Sequence, residues 1–443
     1  MIKTLKYINA FFIQLPGIKQ VTYGYLFYIG IGWLLLCLPW SQVKNDVSPL
    51  DNLFVSASAI STTGLSPVSV SDSYTFFGQL VVLALIQFGG IGYMTVGSFI
   101  ILIRKQSLPE SRVDVSQKVF SLPAGFKMEK FIFSVIYFTL LIELVGAVAL
   151  YYVFQTLQAP LPLWSAVFHS VSSFCTAGFG LYNNSFESYG GSVRLNAVIA
   201  ALSYAGAIGF IVFVDIWRCV KGSVKSITLT SKIILHATFW ISIIGTILLF
   251  VAEPSFQTLP AEKRWLASFF QAMTAMTTVG FNTMPIGMLS KASLLLIIIL
   301  MVIGASPSGT GGGLKSTTFS AIIGIMKSAI RGSSEVTFWG RAIPIDRLMT
   351  ATATLGFYSA LLITGVYLLS LTESFKFEEI FFEAASALGT VGLSTGITAS
   401  LSHLGKLIII FLMYAGRLGA LTFGMAFFLR DRSFQSIEED LAV

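Results

Sequence analysis

FQAMTAMTTVGF, residues 270–281, opens on an aromatic residue, runs through small side chains and closes on Thr-x-Gly-apolar. The pattern recurs at residues 54–65 (FVSASAISTTGL), 168–179 (FHSVSSFCTAGF) and 382–393 (FEAASALGTVGL), and the four segments align without gaps. Their glycines, Gly64, Gly178, Gly280 and Gly392, are about 100 to 115 residues apart, which leaves room for two membrane spans and a hairpin per unit. One such segment would read as ordinary small-residue helix packing. Four at regular spacing, each with Thr two places before Gly, read as an internal repeat.

The flanks agree. Apolar stretches precede the segments at about 21–39, 131–154, 233–252 and 348–371, and others follow at about 76–103, 193–217, 292–325 and 405–429. Each segment has only about ten residues before its Thr, too few to cross about 30 Å at about 1.5 Å per residue. A re-entrant helix followed by irregular backbone is tolerable only where that backbone lines an aqueous cavity. The expected fold is therefore an all-α polytopic membrane protein, with four tandem span–pore loop–span repeats around a pseudo-fourfold central pore. The units are residues 1–110 with an N-terminal tail, 111–225, 226–335 with an intramembrane gating loop, and 336–443 with a C-terminal tail.

Composition supports this class. Hydrophobic residues make up 55% of the 443 positions and charged residues only 11%, whereas a soluble chain would carry about a quarter charged. The first apolar run lacks a small-residue cleavage site after Trp40 and reads as a retained span. Cys37, Cys175 and Cys219 are odd in number and scattered, so they indicate neither a disulfide framework nor a metal site. The net charge of +7 is unevenly spread. With alternating spans, one side holds nineteen of the 28 basic residues, in the stretches 3–19, 104–130, 218–232, 327–347 and 430–432. By the positive-inside rule that side is cytoplasmic, so both termini are expected inside a multi-pass protein of the cell membrane.

Thr-x-Gly suits a dehydrated cation. Backbone carbonyls from four converging loops replace the ion's water shell, and glycine adopts the angles that point them inward. The Thr hydroxyl adds an oxygen at the inner end, and the C-termini of four short helices aim partial negative charge at the ion.

With these strips in view, the chain resembles the Ktr/Trk/HKT superfamily of cation transporters, most of all its Ktr-type bacterial membrane subunits, over about residues 21–430. The matching positions are Thr62, Thr63, Gly64 and Leu65; Thr176, Ala177, Gly178 and Phe179; Thr278, Val279, Gly280 and Phe281; and Thr390, Val391, Gly392 and Leu393. The resemblance implies that these bind potassium, since one glycine per repeat marks potassium preference and a serine in the first repeat marks sodium-preferring relatives. Trk-type members carry an extra pair of spans before the first filter, and only one span fits before Gly64. Apart from Gly180 in the second repeat, no second glycine follows the closing aromatic or apolar residue of a strip, so by analogy the filter is shorter than a potassium channel's. The resemblance further implies a homodimer and a separate cytosolic, nucleotide-binding ring subunit. No cofactor is expected on this chain and no nucleic-acid partner; sodium is a candidate activator or co-ion. Potassium uptake is the leading function. Sodium or mixed sodium/potassium transport and the conducting subunit of an ATP-driven potassium pump are the alternatives.

The gate is expected in the third repeat. Its second span starts at Leu294 and then meets Gly304, Ala305, Ser306, Pro307, Ser308, Gly309, Thr310, Gly311, Gly312 and Gly313 before apolar character returns at 319–325. Proline and five glycines make a continuous helix very unfavourable. No comparable break is expected in the other three repeats, and the loop's free backbone is expected to be solvated in a cavity below the filter. Lys315 is placed to hold the loop. Arg417, in YAGRLG at 414–419, is expected to brace the filter region or to act as a positive barrier, since an unpaired arginine at membrane depth costs roughly 3 kcal/mol.

Other features carry less. Residues 309–316 (GTGGGLKS) fail as a phosphate loop because Leu314 separates glycine from Lys315 and no strand precedes them. With three histidines and no Ser/His/Asp or Cys/His set, the chain does not read as an enzyme. His169 reads as a packed histidine and Cys175 as packing behind the filter. Asp215 is expected to face water or a basic loop. Glu143, mid-span, is open between function and packing.

Overall fold

The computed structural model describes residues 17–92, 95, 98, 99, 102 and 128–428. The 110/111 boundary, the loop at 104–127, and the basic residues of the two chain ends at 3–6 and 430–432 lie outside the described residues.

Each repeat opens on an outer helix, drops into a short pore helix and leaves by an inner helix. The first is built from α1 (Gly17–Leu36), α2 (Pro49–Ile60) and α3 (Phe76–Ile91). The second has α4 (Met128–Thr156), α5 (Pro162–Phe174), α6 (Val193–Ile208) and α7 (Phe210–Val220). The third has α8 (Leu229–Ala252), α9 (Ala261–Thr277), α10 (Lys291–Ile303) and α11 (Ser316–Ile330). A small antiparallel hairpin, β1 (Thr337–Phe338) with β2 (Arg341–Ala342), leads into the fourth. That repeat has α12 (Ile345–Thr372), α13 (Phe377–Gly389), α14 (His403–Leu418) and α15 (Ala420–Phe428). Among the described residues α4, α8 and α12 are each long and apolar enough to cross a membrane alone.

Local chemistry sets these elements. The four inner helices start on Thr75, Ser192, Ser290 and Ser402, whose hydroxyls each accept the backbone N–H three residues on. In the outer hairpins Glu253 accepts the Ser290 N–H at 2.9 Å and Glu373 accepts the Ser402 N–H at 3.1 Å, tying the end of an outer helix to the start of an inner one. The phenylalanines that open the strips, Phe54, Phe168, Phe270 and Phe382, are fully buried. Lys406 on α14 pairs with Asp51 on α2 at 2.7 Å, closing the seam between the last and first repeats.

The inner helices differ from expectation. The break in the third repeat is not alone: α6 and α7 meet at 90° across Gly209, and α14 and α15 at 98° across Gly419. In the first repeat α3 also ends on a left-handed glycine, Gly92 (φ 86°). The reason is tight packing. Gly89, Gly206 and Gly416 lie three residues before these kinks, and a Cβ at any of them would strike the Ile60, Phe174 or Leu388 carbonyl at the C-terminus of its own repeat's pore helix. The inner helix is pulled under the pore helix and turns away at the next glycine with positive φ. The third repeat has Met301 at the equivalent place and a twelve-residue break, residues 304–315, in place of a single glycine.

Candidate functional site

The four strips converge in one ring. Thr62, Thr176, Thr278 and Thr390 lie within two residues of the pore-helix ends and adopt left-handed angles, with φ of 53°, 49°, 60° and 49°. That conformation is an outlier for a β-branched residue and costs on the order of 1–3 kcal/mol each. Four equal outliers at four equivalent places mark a functional constraint. The next residue's N–H reaches back to the pore helix: Thr63 to Ser58 O (2.9 Å), Ala177 to Ser172 O (2.8 Å), Val279 to Thr274 O (3.1 Å) and Val391 to Ser386 O (2.9 Å). The helix end thereby turns the strip.

The glycines are required twice over. Gly64, Gly178, Gly280 and Gly392 have φ of 97°, 66°, 82° and 92°. A Cβ on Gly64 would collide with the Ala177 carbonyl, on Gly178 with that of Val279, on Gly280 with that of Val391, and on Gly392 with that of Thr63. Each glycine thus abuts the carbonyl of the next repeat, and the sequence 1-2-3-4-1 closes into a ring lined by main chain. Leu65, Phe179, Phe281 and Leu393 are buried, so the closing residues contribute backbone and pack their side chains behind it.

One set of supports was not recognised in the sequence. The fifth residue of every strip is hydroxylic: Ser58, Ser172, Thr274 and Ser386. Ser58 and Ser386 accept the N–H of Gly64 and Gly392, both at 3.1 Å. The hydroxyls of Ser172 and Thr274 are buried without a partner. The signal was the coincidence of four hydroxyls at one position.

Directly beneath the ring lies the loop at 304–315, where the sequence placed it, and it touches all four threonines. The Thr310 hydroxyl is 3.1 Å from that of Thr176, and its carbonyl is 3.4 Å from the Thr62 hydroxyl. The Gly312 N–H donates to Thr278 Oγ1 at 3.2 Å, and a Cβ on Gly312 would strike Thr390 Oγ1. Gly311 is equally close under Thr278.

The loop's backbone is paired mainly with protein rather than standing free for solvent, which corrects the sequence expectation. The N–H groups of Ser306 and Thr310 donate to the end carbonyls of α6, Ala207 at 3.0 Å and Gly206 at 3.1 Å. Ser308 accepts the Phe210 N–H on its carbonyl and the Ile211 N–H on its hydroxyl, each at 3.2 Å. The kink at Gly209 exposes the carbonyls and N–H groups that a continuous helix would have consumed. The Pro307 carbonyl packs against Gly209 itself, and Gly304 packs against Gly312 and Gly313. Gly309 closes a turn by donating its N–H to Ser306 O.

Two cations hold this layer. Lys315 Nζ donates to Gly311 O at 2.7 Å. Arg417 Nη1 donates to Thr62 Oγ1 at 3.0 Å and to the Thr310 carbonyl, while Nη2 reaches the carbonyls of Gly89 and Gly90 at the end of α3. Arg417 braces the loop against Thr62 of the first strip and the first inner helix.

The remaining residues fall into place. His169 donates from Nδ1 to Ser165 O at 2.7 Å and stacks on Tyr182, a packed histidine as expected. Cys175 is buried behind the second strip against Gly90. Glu143 is buried beside it, accepting from Gln87 Nε2 at 3.1 Å and lying 3.7 Å from Cys175 Sγ. Of the two expectations for Asp215, water and a basic loop, the second holds: it is buried and accepts the Thr228 N–H and the Ser231 hydroxyl, both at 2.7 Å, at the end of the basic stretch 218–232 where α8 starts. Residues 309–316 follow a helix and lie under the ring, so they form no phosphate loop. Among the described residues no cluster of three or more His, Cys, Asp or Glu is placed to hold a metal ion.

Comparison with known proteins agrees. Residues 34–436 match the TrkH family model, described as cation transport protein. The chain is 34% identical over 420 residues to the Ktr system potassium uptake protein B of Bacillus subtilis, covering 93% of this chain and 92% of that one. It is also 34% identical to the potassium/sodium uptake protein NtpJ of Enterococcus hirae, covering 92% of each. The crystal structure of the potassium transporter TrkH from Vibrio parahaemolyticus has the same fold, with a TM-score of 0.71 at 20% identity, covering 91% of this chain and 84% of that one. The ring of main chain, the broken inner helices and these matches lead to one conclusion: the chain is a multi-pass membrane protein, not an enzyme, and belongs to the TrkH/Ktr family of cation transport proteins.

Proposed function

We propose that the protein takes up potassium across the cell membrane through the four Thr-x-Gly strips, with the loop at 304–315 as its gate. The observation that carries this reading is the ring in which each glycine abuts the next repeat's carbonyl. Such a ring supplies fixed oxygens to a dehydrated cation and no carboxylate that would favour a divalent one. The gate assignment is supported by the loop's contact with all four filter threonines from below. Rubidium uptake by potassium-starved cells expressing the chain, with and without sodium, tests it. Uptake that rises with expression and is competed by potassium is expected; no uptake, or uptake competed equally by sodium, rejects potassium as the preferred ion.

A second reading, mixed potassium and sodium transport, is favoured by the shortness of the filter strips and by the likeness to a potassium/sodium uptake protein. The same assay separates the two, and it also tests sodium as an activator. The repeat boundaries are read at 110/111, 225/226 and 335/336, with both termini cytoplasmic. In the membrane the protein is read as a homodimer, which crosslinking would capture. The likeness to one protein of a Ktr system supports a cytosolic nucleotide-binding ring subunit docked on the basic loops at 104–130, 218–232 and 326–347. Failure to co-elute with any cytosolic subunit encoded beside it would remove that partner.

A further inference from the structure

The strips end at a glycine and an apolar residue, but the chain must then climb from the ring to the outer loops. What holds it there is the second residue of each pore-helix strip: Val55, His169, Gln271 and Glu383, all fully buried. His169 Nε2 accepts the Leu181 N–H at 3.3 Å, three residues beyond Gly178. The Gln271 amide oxygen, oriented by its neighbours, accepts the N–H groups of Thr283 (3.0 Å) and Met284 (3.2 Å), three and four residues beyond Gly280. Glu383 accepts the Ser394 hydroxyl at 2.9 Å and the Thr398 hydroxyl, two and six residues beyond Gly392. Three different polar side chains thus perform one task at one position. In the first repeat Val55 has no polar atom, and Ser66 bonds within its own turn, to Val68 O at 2.6 Å.

Gly180 fits the same design. A Cβ there would come within 3.1 Å of His169 Nε2, so this second glycine makes room for the tether and does not lengthen the filter. His169 also packs against Phe281, with ring centroids 5.9 Å apart, which joins the second repeat's tether to the third strip.

We propose that His169, Gln271 and Glu383 are positioning residues that fix the outer end of the filter and so set its preference for potassium over the smaller sodium ion, with the first repeat, whose ascending chain is held by Asn183 of the second repeat and not from its own pore helix, as the more compliant side. A ring that can contract around sodium loses its preference, and buried hydrogen bonds to the ascending chain resist contraction. The inference rests on the filter reading above.

The test measures sodium competition against rubidium uptake, together with the amount of protein in the membrane. Glu383→Leu and Gln271→Leu are expected to reduce potassium preference about tenfold, the size of effect that loss of a buried hydrogen bond produces. Glu383→Gln, whose amide oxygen accepts one hydroxyl while its NH2 donates to the other, should stay within about twofold of the parent. Val55→Ala, at the same position without a tether, should leave preference unchanged. If the leucine variants do not reach the membrane, Ser394→Ala with Thr398→Ala removes the same bonds from the other partner and should give the same loss. Gly280→Ser is run in parallel. If it abolishes preference while the tether variants keep the parent's value, the positioning role is overturned and the filter stands. Should Gly280→Ser also keep full preference, the filter reading itself fails.

Discussion

The ring of strips and the layer directly below it are built on opposite plans. In the ring every repeat contributes the same thing: a left-handed threonine, a residue whose N–H returns to the pore helix, and a glycine against its neighbour's carbonyl. In the layer below every repeat contributes something different. The first offers the carbonyls of Gly89 and Gly90, the second the exposed end of α6, the third the loop itself and Lys315, and the fourth Arg417. Equivalence suits a monovalent cation on an axis, which sees four identical donors. Non-equivalence fits the proposed gate, in which a loop fed from one repeat is held by the others.

The contrast can be broken at its strongest point first. Placing serine at Gly64, Gly178, Gly280 or Gly392 puts a Cβ into the neighbouring carbonyl in every case. Potassium preference should fall more than tenfold in all four variants and to a similar degree, as equal donors require. Preference that survives in one repeat, measured by sodium competition, would show that the ring is not equivalent.

Deletion of 306–312 addresses the lower layer alone. It removes the groups under all four threonines and leaves the strips intact, so uptake should rise several-fold with preference retained. A deletion that reaches the membrane and conducts no faster than the parent ends the gate assignment.

Arg417→Gln is a gentler change. It removes a positive charge and the contacts to Thr62, Thr310 and α3, but Lys315 still holds Gly311. Uptake should rise about two- to fivefold, in proportion to a brace lost while the loop remains. Unchanged kinetics would make Arg417 a packing residue.

Gly209→Ala probes the latch from the second repeat and should have the smallest effect on flux. Alanine there is strained at φ 93° and presses on the Pro307 carbonyl. Stability should drop by about 1–3 kcal/mol, with uptake raised about twofold or less. An effect as large as the loop deletion would move the principal hinge from the third repeat to the second.

Much of this was legible. Residues 54–65, 168–179, 270–281 and 382–393 announced the ring, and Pro307 with its five glycine neighbours announced the loop. The kinks at Gly209 and Gly419 and the helix end at Gly92 were not recognised, although GGIG at 89–92, GAIG at 206–209 and GRLG at 416–419 share one glycine spacing. A lone glycine pair in an apolar run usually means close helix packing. Here it means packing and a turn together, and only the pore-helix carbonyls above it show that. For Asp215 the sequence left water and a basic loop open, and only the contacts with Thr228 and Ser231, where that loop enters the next repeat's first helix, choose the loop.

The sequence by itself determined the repeat, the membrane class and the identity of the strip residues, because those follow from periodicity, hydropathy and the steric freedom of glycine, which are properties of single residues and their spacing. Tertiary structure alone decided the ring order, the pairing of the loop with α6, the reach of Arg417 to α3 and the tethers at His169, Gln271 and Glu383. Each of these is a contact between repeats or between a pore helix and the chain beyond its filter. Such a contact depends on where a carbonyl or N–H is left over when a helix ends, and a helix end is set by what packs against it.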